Sequence, residues 1–202
     1  MSVVQLLDYC GVAMFAATGA LAASRKQVDV VAFIFLGIVT GVGGGTLRDL
    51  ILGVPVFWVE QPQFLSVCIL TSVAVYFIAH HLESRYRTLL WLDAVALASY
   101  GVFGAYRSLQ VTDSAEVAVI MGMMTGTMGG ILRDVLSSEP SVLMREEIYI
   151  TAAMTGALVF AIGQRQGFPL PYVAGFATLL AFAVRSGALC RGWRLPRYGR
   201  NG

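Results

Sequence analysis

Charge is scarce in this sequence. Of 202 residues, 57% are hydrophobic and only 13% charged, against about 25% charged in an ordinary soluble domain. So little charge cannot coat a water-facing surface, which leaves the bilayer as the solvent. The net charge of +2 gives no ground for a nucleic-acid partner. Cysteine is also scarce. Cys10, Cys68 and Cys190 lie far apart in or beside apolar stretches, which excludes a disulfide framework and a cysteine metal site. No nucleophile–base set and no paired carboxylates stand out, so no enzyme is expected. Gly41-Val-Gly-Gly-Gly lacks the spacing and the lysine of a nucleotide loop. His80, His81 and Glu83 read as a solvated loop rather than a metal site. No cofactor and no metal are expected. Finally, no Lys or Arg precedes the first apolar run, while Arg25 and Lys26 follow it. That is the reverse of a signal peptide, so the run is expected to stay as a helix.

What is there is apolar length. Crossing the hydrocarbon takes about 20 apolar residues in a helix, and seven stretches qualify: 3–23, 29–52, 63–82, 89–108, 115–136, 147–164 and 169–189. With the N-terminus outside, ten Lys and Arg fall at cytoplasmic ends, among them Arg25, Lys26, Arg145, Arg185, Arg197 and Arg200. With Arg48 and Arg133 left out of the count, only Arg107 and Arg165 fall at outer ends. The positive-inside rule therefore predicts N-out, C-in. The C-terminal arginines suit either anionic membrane lipids or plain solvation.

The sequence repeats at an offset of 85. Thr40-Gly-Val-Gly-Gly-Gly-Thr-Leu-Arg-Asp49 aligns without a gap on Thr125-Gly-Thr-Met-Gly-Gly-Ile-Leu-Arg-Asp134. The same offset pairs Asp8 with Asp93, Gly19 with Gly104, Gly37 with Gly122 and Pro55 with Pro140. The unit holds three spans, an odd number, so the second copy must enter the membrane inverted. The expected fold is an all-α membrane protein of seven transmembrane helices. Residues 1–85 form one three-helix repeat, 86–168 its inverted copy, and 169–202 a seventh helix with a basic tail.

Gly37, Gly41 and Gly45 recur every four residues, as do Gly122, Gly126 and Gly130. Each set is one stripe on its helix. Two uses are open. One is close helix packing. The other is a helix bent or unwound at Gly43-Gly44-Gly45, freeing carbonyls for an ion. Arg48 and Arg133 each follow a stripe glycine by seven residues and so face the protein interior. A charged residue inside a span marks function by default. Asp49 and Asp134 are about 100° around the helix and are read as facing elsewhere. The expected ion pairs are Asp8–Arg48 at the outer face and Asp93–Arg133 at the inner face, flanking a pathway. Thr40 and Thr125 add hydroxyl oxygens, although lone threonines in such helices often bond back to the backbone.

The doubled Gly-Gly-x-Leu-Arg-Asp at Gly44–Asp49 and Gly129–Asp134, with Asp8, Asp93 and the 3+3+1 layout, resembles the prokaryotic branch of the trimeric intracellular cation (TRIC) channel family. The resemblance spans roughly residues 5–190. It implies a homotrimer with a pore in each subunit, permeation of K⁺ and also Na⁺, and glycine-kinked helices two and five lining the pore. Gly43, Gly44, Gly45, Gly129, Gly130, Thr40, Thr125, Arg48, Asp49, Arg133 and Asp134 would then line the ion pathway. Met128 replaces the glycine equivalent to Gly43, so the second glycine cluster is shorter. The other class of function is a secondary transporter for a small polar solute such as a small amino acid, since inverted repeats suit alternating access.

Overall fold

The computed structural model describes residues 3–82, 84–141 and 148–195, with side chains from Gln5 onward. Among these residues the chain is helical, with no strand ladder. The helices are α1 (Val3–Lys26), α2 (Val30–Leu52), α3 (Phe57–Glu60), α4 (Gln63–Ile78), α5 (Arg85–Thr112), α6 (Ala115–Leu136), α7 (Ile150–Arg165) and α8 (Leu170–Arg191). The short α3 aside, they are the seven expected spans. Local chemistry sets their ends. Asp29 caps α2 by accepting the Ala32 N–H at 2.8 Å, and Ser114 caps α6 by accepting the Val117 N–H at 3.2 Å. Gly53 and Gly192 close α2 and α8 in the left-handed conformation (φ 67° and 65°) that favours glycine.

Six of the seven long helices, α4 taken together with the 3-10 turn that extends it to His81, have the length and apolarity to cross a membrane. The exception is α7, whose 16 residues reach about 24 Å. Its expected start at 147 lies outside the described residues, as do Glu83, Arg145, Arg197 and Arg200. The most enclosed spans are α1 and α5, 67% and 72% buried, against 22% for α4 and 33% for α8. These two are the first helices of the two repeats. They form the axis of the subunit, and the others wrap them.

The repeat is visible in the packing. A side-chain carbon on Gly41 would meet the Val12 carbonyl oxygen at 3.2 Å, and one on Gly126 would meet that of Leu97 at 2.9 Å. Gly37 lies against Ser72 and Gly122 against Ala157, while Gly19 lies against Thr40 and Gly104 against Thr125. Every one of these pairs obeys the 85-residue offset. Glycine is needed here because a carbonyl or small side chain of the neighbouring helix already fills the space, the small-residue packing that replaces a hydrophobic driving force in lipid.

Both glycine-bearing helices run unbroken. The α-helix of α2 continues through Gly43-Gly44-Gly45 without interruption, and none of the three has positive φ. Neither α2 nor α6 therefore contains an unwound segment, and the glycines serve close approach. Gly175 on α8 is a control, since nothing lies within 4 Å of where its side chain would be. Gly175→Ala is expected to leave the subunit as stable or to stabilise it by roughly 0.5–1 kcal/mol, the helix-interior cost of glycine. Thermal unfolding in detergent measures it, and a clear loss of stability would show that this face is covered.

Candidate functional site

Two arginines anchor the two ends of the subunit. Arg48 lies near the end of α2 and Arg133 near the end of α6, and each is 1% exposed. A guanidinium buried this deeply is tolerated only with charge partners. Arg133 has two. Its Nη1 donates to Asp93 Oδ1 at 2.6 Å, and its Nε and Nη2 lie 3.0 and 2.9 Å from Asp134 Oδ1. Asp93 comes from α5, so this cluster ties α5 to α6.

Arg48 differs. Its Nε and Nη2 lie 2.8 and 2.7 Å from Asp49 Oδ1, and the expected ion pair with Asp8 is not formed. Asp8 Oδ1 and Arg48 Nη1 are both buried without a hydrogen-bond partner. Nor do Asp49 and Asp134 face away from their neighbours. The 100° step between adjacent residues holds for Cα–Cβ directions. An arginine stem is long enough to curl back across it, and burial rewards the nearest carboxylate. The other oxygen of Asp49 accepts the Phe57 N–H at 2.9 Å, which starts α3. The Arg48 guanidinium also sits over the Phe103 ring, 5.3 Å from its centroid.

Around Arg48 the subunit opens into a vestibule of about 300 Å³. Asp8, Glu60, Arg107 and Gln110 line it together with Arg48 and Phe103. At the opposite end, Arg25 and Lys26 pair with Glu139 at 3.5 and 3.1 Å. The Arg85 Nη1 donates to the Ser24 carbonyl at 2.9 Å. The described cavity beside Arg133 there measures about 10 Å³, room for at most one water.

Between the two arginines, α2 and α6 cross at contact distance. A side-chain carbon on Gly129 would sit 2.6 Å from the Thr40 carbonyl oxygen, and one on Gly44 would run into the Thr125 carbonyl oxygen. The Thr40 and Thr125 hydroxyls donate back to the Leu36 and Met121 carbonyls, each at 2.6 Å. Neither threonine nor any of Gly43, Gly44, Gly45, Gly129 and Gly130 lines a described cavity. Gly45 lies against Phe57 and the Tyr100 hydroxyl, and Gly130 against the Tyr149 hydroxyl and Asp93.

One buried charge escaped the sequence analysis. Arg185 of α8, counted there among cytoplasmic ends, is 0% exposed. Its guanidinium lies 5.0 Å from the Tyr149 ring centroid, and its Nη1 donates to the Ile148 carbonyl at 3.3 Å. The signal was present. Ala174, Ala177 and Ala181 form a buried stripe, and four residues further that stripe arrives at Arg185.

A family profile described as "Glycine transporter" matches the chain twice, over residues 5–80 and 90–165. The two matches are spaced by the same 85 residues. A UPF0126 inner membrane protein of Escherichia coli is 35% identical over 95% of this chain and 94% of its own length. A UPF0126 membrane protein of Vibrio cholerae is 35% identical over 98% of this chain and 83% of its own. Among solved structures, the TRIC trimeric intracellular cation channel orthologue of Rhodobacter sphaeroides is 48% identical. It superposes with a TM-score of 0.93 and covers 96% of this chain and 100% of that one. A second structure, solved to explain conductance through TRIC cation channels, is 28% identical with a TM-score of 0.87 and full coverage of both chains. The chain therefore belongs to the duplicated membrane-protein family whose profile is described as "Glycine transporter", and within it to the prokaryotic TRIC channels.

Proposed function

We propose that this chain is a cation channel of the bacterial inner membrane. It forms a homotrimer with a pathway through each subunit, and K⁺ with Na⁺ are the permeant ions. The N-terminus lies outside and the C-terminus inside, so the vestibule at Arg48 opens outward. The α2–α6 crossing, with Gly44 and Gly129 at contact, is the narrow part of the path.

The observation that carries this reading is the charge balance at the vestibule. Arg48 alone would repel cations, but Asp49 holds it at 2.7 Å. Asp8 and Glu60 then face Arg107 across the cavity. With the carboxylates ionised, three negative and two positive groups leave the mouth one charge negative, which concentrates cations. The likeness to solved TRIC channels supports the same reading.

Single-channel recording of the purified protein in a planar bilayer under a KCl gradient tests it. Unitary steps reversing near the K⁺ potential are expected. Asp8→Asn removes the vestibule's net charge and is expected to cut conductance severalfold at low salt, with less effect at high salt where charges are screened. A silent bilayer with well-inserted protein would sink the channel. One observation favours a second reading, a small-amino-acid transporter: the description of the family profile. Glycine uptake into proteoliposomes with no unitary currents would establish it instead.

A further inference from the structure

We propose that the groove between α6 and α7 seats one phospholipid whose zwitterionic headgroup carries a primary ammonium. The site lies apart from the ion path and goes beyond the channel reading. The groove holds about 440 Å³. Val119 of α6 and Leu158, Ala161 and Ile162 of α7 give it an apolar wall, and Glu116 and Arg165 stand at its end. Arg107 and Gln110, near the end of α5, line the Arg48 vestibule. Only Asp113 and Ser114 separate α5 from α6. The charged end of the groove therefore lies at the vestibule's end of the subunit, and the lipid belongs to the leaflet on that side.

The duplication explains why the groove is open. In the first repeat, Phe33 of α2 and Tyr76 of α4 meet edge to face with 5.0 Å between ring centroids. The 85-residue offset puts Ala118 of α6 and Ala161 of α7 at those two positions. Two rings that join the first helix pair are thus missing from the second, and Ala161 lines the groove. Leu158 and Ile162 are 44% and 48% exposed along it. An apolar groove of this kind in a bilayer takes up an acyl chain rather than water.

The charges select the headgroup. The turn at Asp113 and Ser114 steadies both of them. Arg165 Nη2 donates to the Asp113 carbonyl at 3.2 Å, and Glu116 Oε2 accepts from the Ser114 hydroxyl at 2.8 Å. A guanidinium binds a phosphate, and the carboxylate beside it binds an ammonium. A headgroup with both satisfies both, whereas a glycerol headgroup leaves Glu116 negative beside the phosphate. The length of α7 adds to this. Its 16 residues reach about 24 Å, short of a hydrocarbon core of about 30 Å. Lipid at its end is drawn inward, and Arg165 and Glu116 are placed to hold it there.

Native mass spectrometry of the purified protein, supplied in detergent with dioleoyl phosphatidylethanolamine or dioleoyl phosphatidylglycerol, tests the site. Retention of the ethanolamine lipid is expected to exceed that of the glycerol lipid by roughly two- to fivefold, the range of an exposed ion pair. Glu116→Gln is expected to erase that preference, and Arg165→Gln to lower retention of both lipids. Ile162→Trp fills the groove with the charges intact and is also expected to lower both. Glu116, Ile162 and Arg165 are exposed, so the variants should fold, and their melting temperatures check it. Should Ile162→Trp not elute as folded protein, Leu158→Trp fills the same groove. Equal retention of the two lipids by the unsubstituted protein overturns the proposal. So does retention unchanged by Ile162→Trp or Arg165→Gln, or a preference that survives Glu116→Gln. Retention of neither lipid, with Ile162→Trp breaking up the assembled protein, would put a second copy in the groove and overturn it as well. Lipid retention needs no permeation, so failure here is distinct from a silent bilayer.

Discussion

Arg133→Met is expected to destabilise the subunit by roughly 3–5 kcal/mol, the cost of leaving buried charge uncompensated. The arginine is in contact with both Asp93 and Asp134. Those two carboxylates are 1% and 4% exposed. Arg185 packs on the Tyr149 ring, 5.0 Å from its centroid. Given typical total stabilities of about 5–15 kcal/mol, such a loss should appear as poor recovery of folded protein and a lower melting temperature in detergent. Arg133→Lys should restore only part of the loss. A single ammonium cannot reach both carboxylates in the forked geometry that Nε, Nη1 and Nη2 provide. The triple variant Arg133→Met with Asp93→Asn and Asp134→Asn should recover most of it, because it removes the stranded charges. If Arg133→Met alone melts like the unsubstituted protein, the cluster is not a structural keystone.

Arg48→Met is expected to cost less. Removing it strands Asp49, but Asp49 keeps the Phe57 N–H at 2.9 Å. Asp8 has no bond to Arg48 to lose and lines an open vestibule that supplies water. The two arginines are equal by sequence and unequal by surroundings, so the difference between the two substitutions measures the asymmetry directly.

Much of this arrangement was legible in the sequence. Helix number followed from apolar length, and the inversion followed from an odd number of spans per unit. The 85-residue offset led from Asp8 and Arg48 to Asp93 and Arg133, which lie 2.6 Å apart. What could not be read was set by side-chain length and by neighbours remote in sequence. Angular spacing placed Asp49 and Asp134 away from their arginines because it counts only the Cβ direction. Arg185 was sorted by its position near a span end, and only the stripe of Ala174, Ala177 and Ala181 one turn before it separates it from a solvated arginine. The glycine stripes were compatible with an unwound helix or with close packing. Only the Thr40 and Thr125 carbonyls, 85 residues apart and each on the opposite helix, decide for packing.

Those two carbonyls make the α2–α6 crossing the least forgiving contact in the subunit. Gly44→Ala places a carbon into the Thr125 carbonyl oxygen, and Gly129→Ala places one 2.6 Å from that of Thr40. Neither obstacle is a side chain that can rotate away, so the helices must part. Overpacking of this kind costs roughly 1–3 kcal/mol per substitution, and valine at either site should prevent recovery of folded protein. The contacts are two halves of one crossing. Once Gly44→Ala has parted the helices, the room that Gly129→Ala needs is partly made. The double alanine variant should therefore cost clearly less than the sum of the singles, a non-additivity expected of residues that share an interface. Melting temperatures of the two singles and the double measure it. Strict additivity would mean that each helix yields locally. Sub-additivity would mean that α2 and α6 move as rigid bodies about this crossing, so that a displacement made at Arg48 is carried whole to Arg133.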